Sequence, residues 1–148
     1  MLGRTKSVLL AVVMAAALMA CESAVSDDDS GDRLSQQDWV ADTINGAAVI
    51  NPGRVTLSFA EGRVSGRAGC NLYSGPVEVG KGSLKIGSLI STKMACVEQG
   101  LMVQESTYLN ALQGARSYSF SGDGKLSIST ASGALVYSSA PRQQRPDG

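Results

Sequence analysis

From Val55 to Ser138, one segment apart, the chain is built of short runs in which apolar and polar residues alternate. That period of two restricts it to antiparallel strands with one buried face. Val55, Leu57 and Phe59 alternate with polar neighbours, and Ala60-Glu61-Gly62 turns the chain into residues 63–66. Leu84, Ile86 and Leu89 resume the pattern after the glycines at 80 and 82. Tyr118 and Phe120 alternate with serines, and Gly122-Asp123-Gly124 has the composition of a hairpin turn. Leu126 and Ile128 follow, and Gly133 precedes a last run over residues 134–138. The exceptional segment has helical spacing at Leu101, Met102, Tyr108, Leu109 and Leu112, with Gln104, Glu105 and Asn110 on other faces and Gly114 at the end. It predicts one amphipathic helix of about three turns. Its apolar stripe is expected to cap the open side or end of the sheet, a packing role being favoured over ligand binding. The fold class is mainly β (α+β), one helix packed on a small antiparallel sheet.

The first twenty residues follow a different logic. Arg4 and Lys6 precede an unbroken apolar run from Val8 to Ala20. Its 13 residues fall short of the roughly 20 that cross a bilayer. A positive start, a short apolar middle and a small exit residue are the layout of a secretory signal peptide. The exit, Leu18-Met19-Ala20-Cys21, resembles the lipobox of bacterial lipoproteins, although Met19 replaces the commoner alanine, serine or threonine. The alternatives are an ordinary cleaved signal with an accidental cysteine, or a short membrane anchor. The change to polar composition at the cysteine favours the lipoprotein. The resemblance implies two or three acyl chains on Cys21. Each buried methylene contributes about 0.8 kcal/mol, so such an anchor is effectively permanent where a single chain is marginal. Inner-membrane lipoproteins often carry aspartate after the cysteine. Glu22 stands there instead, so the expected location is the periplasmic face of the outer membrane.

Cleavage before Cys21 would leave 128 residues, enough for one domain. It would remove two of the 13 basic residues and none of the 13 acidic ones, for a net charge of about −2. That balance argues against a nucleic-acid partner, whose phosphates favour a basic footprint. Histidine is absent, which removes the commonest general base and the commonest metal ligand. With Cys21 assigned to lipid, Cys70 and Cys96 remain as an even pair in an oxidising compartment, and a structural disulfide is expected. It would stabilise the domain by about 3–4 kcal/mol. Two buried free thiols are the alternative; a redox pair lacks CxxC spacing.

Residues 21–37 are polar, with acidic side chains at Asp27, Asp28, Asp29 and Asp32, and are expected to form a flexible tether. The cluster lacks the spacing and the glycine of an EF-hand calcium loop. Residues 140–148 are expected to be a loose tail. There is no Walker-type loop, no GxSxG, and no lysine with serine three residues before it. Ser91 with Lys93 is the one conceivable dyad, and nothing else in the sequence supports it. No catalytic residues, metal or cofactor are expected.

Two stretches suggest a family. GRVSGRAGCNLYSG at residues 62–75 and ISTKMAC at 90–96, followed by a helix containing Glu105, resemble the META/HslJ-like domain, whose early tryptophan is matched by Trp39. The resemblance covers residues 38–139 and implies a strongly bent antiparallel sheet, close to a barrel, crossed by one helix. Within it, Gly66 and Gly69 are expected to permit tight backbone geometry around Cys70. Asn71 is expected to bond within its own turn and Met94 to fill the core. Members of the family are envelope or secreted proteins linked to heat stress and antibiotic tolerance, with no enzymatic activity attached to them. The expected function is that of a non-catalytic, accessory or stress-related envelope lipoprotein that acts through contacts with another envelope component. The alternative is a carrier of lipid or another apolar ligand, similar to the pilotins of the outer membrane.

Overall fold

A computed structural model describes residues 29–142. The signal peptide, Cys21, residues 22–28 of the expected tether and residues 143–148 of the expected tail lie outside the described residues.

The elements run α1 (Asp29–Gln36), β1 (Asp38–Ile44), β2 (Ala47–Ala48), β3 (Thr56–Ala60), β4 (Arg63–Arg67), β5 (Leu72–Val79), β6 (Leu84–Ile86), β7 (Ile90–Ser91), α2 (Leu101–Gln113), β8 (Ala115–Phe120), β9 (Leu126–Thr130) and β10 (Gly133–Ala140). All pairings are antiparallel, in the order β6-β5-β4-β3-β1-β10-β9-β8, with β2 beside β1 and β7 beside β5. The first strand pairs with the last, Asp38 opposite Ala140 and Ile44 opposite Leu135. The ring is nearly closed between β6 and β8, where Ser83 bridges Ser117 and the Tyr118 N–H donates to the Gly82 carbonyl at 2.9 Å.

Alternation along the strands sends one side chain in two to the interior. Trp39, Leu57, Val64, Leu84, Leu126, Ile128, Leu135 and Tyr137 are buried there. A bulge between Ala41 and Thr43 breaks the alternation of β1, so that Ala41 and Ile44 both face inward while Asp42 stays at the outer wall. There Asp42 accepts hydrogen bonds from the Lys125 ammonium and the Ser138 hydroxyl, each at 2.7 Å.

Strand register puts the two helices at opposite ends. The α1 end gathers Trp39, Phe59, Phe120 and Val79; the α2 end gathers Val55, Ala68, Cys70, Leu72 and Ala115. The helix α1 was not expected, since its composition predicts a tether. An eight-residue helix is marginal in isolation. Leu34 supplies the tertiary contact: it is completely buried, and its carbonyl accepts the Trp39 indole N–H at 3.1 Å. The Arg33 guanidinium lies over the Phe120 ring, 4.0 Å from its centroid, and Asp29 and Asp32 occupy the favourable first turn. Order also continues past Ala140, because the Arg142 guanidinium donates to the carbonyls of Ser35 and Phe59.

Candidate functional site

The sequence motifs converge at the α2 end. β4 runs on through Ala68 to a sharp corner at Gly69, whose φ of +147° disfavours any side chain. The corner aims the amides of Cys70 and Asn71 at α2. Glu105 answers them: its Oε2 accepts the Cys70 N–H at 3.1 Å and the Asn71 N–H at 2.9 Å, and its Oε1 accepts the Asn71 carboxamide at 2.6 Å. Glu105, expected on another face, stands in the i, i+4, i+7, i+11 row of Leu101, Tyr108 and Leu112 and is buried with them and Ala111. Met102, expected on the apolar stripe, is exposed instead. Three donors from a segment 34 and 35 residues away satisfy the carboxyl group on that buried face; the period of the helix gives the face but not these partners.

Asn71 is also buried and does more than close its own turn. Its carbonyl oxygen accepts the Thr92 hydroxyl at 2.8 Å and the Met94 N–H at 2.7 Å, and its amide reaches the Met94 carbonyl at 3.2 Å. Leu72 and Thr92 exchange two further bonds, Thr92 N–H to the Leu72 carbonyl at 3.0 Å and Leu72 N–H to the Thr92 hydroxyl at 3.1 Å. Cys70 and Cys96 are joined by a disulfide with their Cα atoms 6.0 Å apart, as the cysteine count predicts. Met94 is not the expected core filler. Its backbone is held by Asn71 while its side chain is 56% exposed.

Below this junction lies a buried tyrosine cluster. The Tyr73 hydroxyl meets the Tyr108 hydroxyl at 2.8 Å and the Thr56 carbonyl at 2.8 Å, and the Tyr137 hydroxyl donates to Tyr108 at 3.2 Å. Loss of hydration disfavours their ionised forms, so Tyr108 is pushed up to about 12, and Tyr73 and Tyr137 rise well above 10.0. Gly66 makes the cluster possible, because a β-carbon there would overlap the Thr56 carbonyl and press on the Tyr73 hydroxyl.

Outside the same end, apolar side chains remain in solvent. Leu72 and Ile90 line a shallow groove of about 290 Å³ with Tyr73, Ser74, Ser91 and Thr92. Ile90 is 68% exposed, and Val97 and Val103 are exposed beyond it. Ser91 lies in β7 opposite Tyr73, and among the described residues its hydroxyl shares no hydrogen bond with the Lys93 amine. The structure therefore does not assemble that dyad.

A nearly closed antiparallel barrel with a helix locked into one end by a Gly-Cys-Asn corner, a Thr-x-Met-x-Cys segment and a buried glutamate defines a class. The sequence matches the META domain over residues 32–142, and the chain belongs to that family. The match begins inside α1, in agreement with the packing of Leu34. The fold is similar to a solution NMR structure of a protein from Burkholderia xenovorans, with 26% sequence identity and a TM-score of 0.61, over 77% of this chain and 88% of that one. A second NMR structure gives 27% identity and a TM-score of 0.59, over 72% of this chain and 91% of the other. Comparison with curated proteins gives no match.

Proposed function

We propose that this protein is a non-catalytic accessory component of the bacterial envelope, anchored by lipid on Cys21, whose META domain binds another envelope protein during stress. The observation that carries this reading is the exposed apolar surface of Leu72, Ile90, Met94 and Val97 on a frame pinned by the disulfide and the Asn71–Glu105 bonds. Solvent-facing apolar groups on a rigid support are what a protein partner buries. Cys21 and Asp29 are eight positions apart, a reach of about 28 Å at most. An anchor there tethers the α1 end and leaves the apolar end for a partner. The acidic balance and the lack of a basic patch motif fit a protein partner better than a nucleic acid.

The test is capture of the lipidated full-length chain from its own membranes, beside an Ile90→Lys/Val97→Asp variant. A protein that co-purifies with the native chain and is lost from the variant supports the reading. Equal recovery with both would remove this surface from consideration. A Cys21→Ser chain that still fractionates with membranes would overturn the anchor.

The carrier alternative has weaker support. The interior is occupied by the protein's own Trp39, Tyr108, Tyr137 and Leu112, so an apolar ligand would have to use the outer groove. Lipid found in native mass spectra of the purified chain and lost with Ile90→Lys would favour it.

A further inference from the structure

The sulfur atoms of Cys70 and Cys96 and a carboxyl oxygen of Glu105 lie within 4.8 Å of one another. In the oxidised chain the two sulfurs are committed to each other. We propose that after reduction the same three groups bind a thiophilic divalent ion such as zinc, through two thiolates and the Glu105 carboxylate, with water as the fourth ligand. The exchange is balanced by a dithiol reductant. It delivers two electrons, the S–S bond breaks, two S–H groups form on the protein, and the reductant closes to its own disulfide. Metal binding then releases both thiol protons to solvent.

Three features prepare the site. First, the cysteines do not depend on their bond to stay together. Asn71 holds both polar atoms of the Met94 backbone, two residues before Cys96, and Leu72 and Thr92 are doubly bonded beside it. Second, Glu105 retains capacity. Its Oε1 accepts only the Asn71 carboxamide, which leaves a lone pair for a metal. The same carboxamide lies 3.7 Å from the Cys70 sulfur, but its two hydrogens are directed to Glu105 and the Met94 carbonyl. Third, two thiolates and a carboxylate would concentrate three negative charges. Among the described residues no lysine or arginine forms an ion pair with Glu105. A divalent cation supplies that charge.

The probe is cadmium, whose thiolate complexes absorb in the ultraviolet, titrated into the reduced, metal-free full-length chain with Cys21→Ser, so that only Cys70 and Cys96 carry thiols. The expected result is one equivalent bound with a thiolate-to-metal band, displacement by zinc, and protection of both cysteines from alkylation. The oxidised chain should show no band. Changes outside the ligand set of a metal site already cost about 10–100-fold in affinity, so Glu105→Gln should weaken binding by at least about tenfold. Cys96→Ser, which keeps Glu105 and its hydrogen bonds, should abolish the band whether or not Glu105→Gln folds. The proposal is overturned if the reduced chain binds cadmium no better than the oxidised one. It is equally overturned if a folded Glu105→Gln chain binds as tightly as its parent.

Discussion

The two ends of the barrel are stopped by different chemistry. At the α1 end Leu34, Trp39 and Phe120 meet through apolar and aromatic contact, with the Trp39 and Phe120 ring centroids 5.7 Å apart and one indole hydrogen bond. At the α2 end a carboxyl group, a carboxamide, three tyrosine hydroxyls and a disulfide do the joining. The apolar plug is set by shape and tolerates exchanges that conserve volume. The polar clasp is set by matched donors and acceptors, so removing one member orphans several others at about 1–3 kcal/mol each. The specific sequence motif therefore sits at the end where substitutions are least tolerated.

The contrast can be broken or sharpened experimentally. The largest effect is expected for Glu105→Ala, which leaves two backbone N–H groups and one of the two carboxamide N–H groups of Asn71 unpaired and should lower unfolding free energy by about 4 kcal/mol. A loss under about 1 kcal/mol in urea unfolding would show that the clasp is ornamental. Leu34→Ala should follow with about 3 kcal/mol for a completely buried leucine. If α1 were only a tether, that variant would unfold at the parent's midpoint. Of the two ends, alkali should act on the α2 end. Above pH 10.0 the unfolded tyrosines release protons that the buried ones retain, so the stability they contribute is complete below that pH and falls as pH rises towards about 12. In a Tyr73→Phe/Tyr137→Phe chain, the alkaline decline measured by circular dichroism should be shallower. Arg33→Ala should cost only about 0.5–1 kcal/mol, the worth of one exposed cation–π contact.

The smallest effect belongs to the wall between the ends. Burial raises the Asp42 carboxyl, but hydrogen bonds from Lys125 and Ser138 outweigh it and hold the group below 3.8. Its contribution is present above that pH and is lost as pH falls through the folded value. Asp42→Asn should therefore flatten the acid side of the stability profile, and it should also remove the alkaline loss of the Lys125 contact, because Asp42 holds the Lys125 ammonium above its usual range. An unaltered acid profile would assign the acid sensitivity to other carboxylates.

The ends also differ in how far they can be read from sequence. The strands beyond Val55 and the helix α2 follow from periodicity, and the disulfide from the cysteine count. The α1 plug is invisible to such reasoning, because one leucine among polar residues has no period. Glu105 is misplaced for a different reason: its spacing matches Leu101, Tyr108 and Leu112, but its charge assigns it to solvent until its partners at Cys70 and Asn71 are known. Met94 shows the converse error, since its place in the motif comes from its amide and carbonyl, which any residue except proline possesses. The resemblance to META domains marks Cys70, Asn71, Met94 and Glu105 as a set without saying what each one touches, and it leaves α1 out.

The pairing of the first strand with the last has a consequence in time. Asp38 and Ala140 are neighbours in space but stand at the two extremes of the domain. At about 5–20 residues per second, a growing chain delivers β10 on the order of 5–20 s after β1. Through that delay Trp39, Ala41 and Ile44 have no β10 to lie against, and the ring cannot close from either side. Such a long-range ladder makes folding a late, whole-chain event. A chain shortened before Gly133 would lose its last strand and leave one edge of its first strand, the edge away from β3, without a partner.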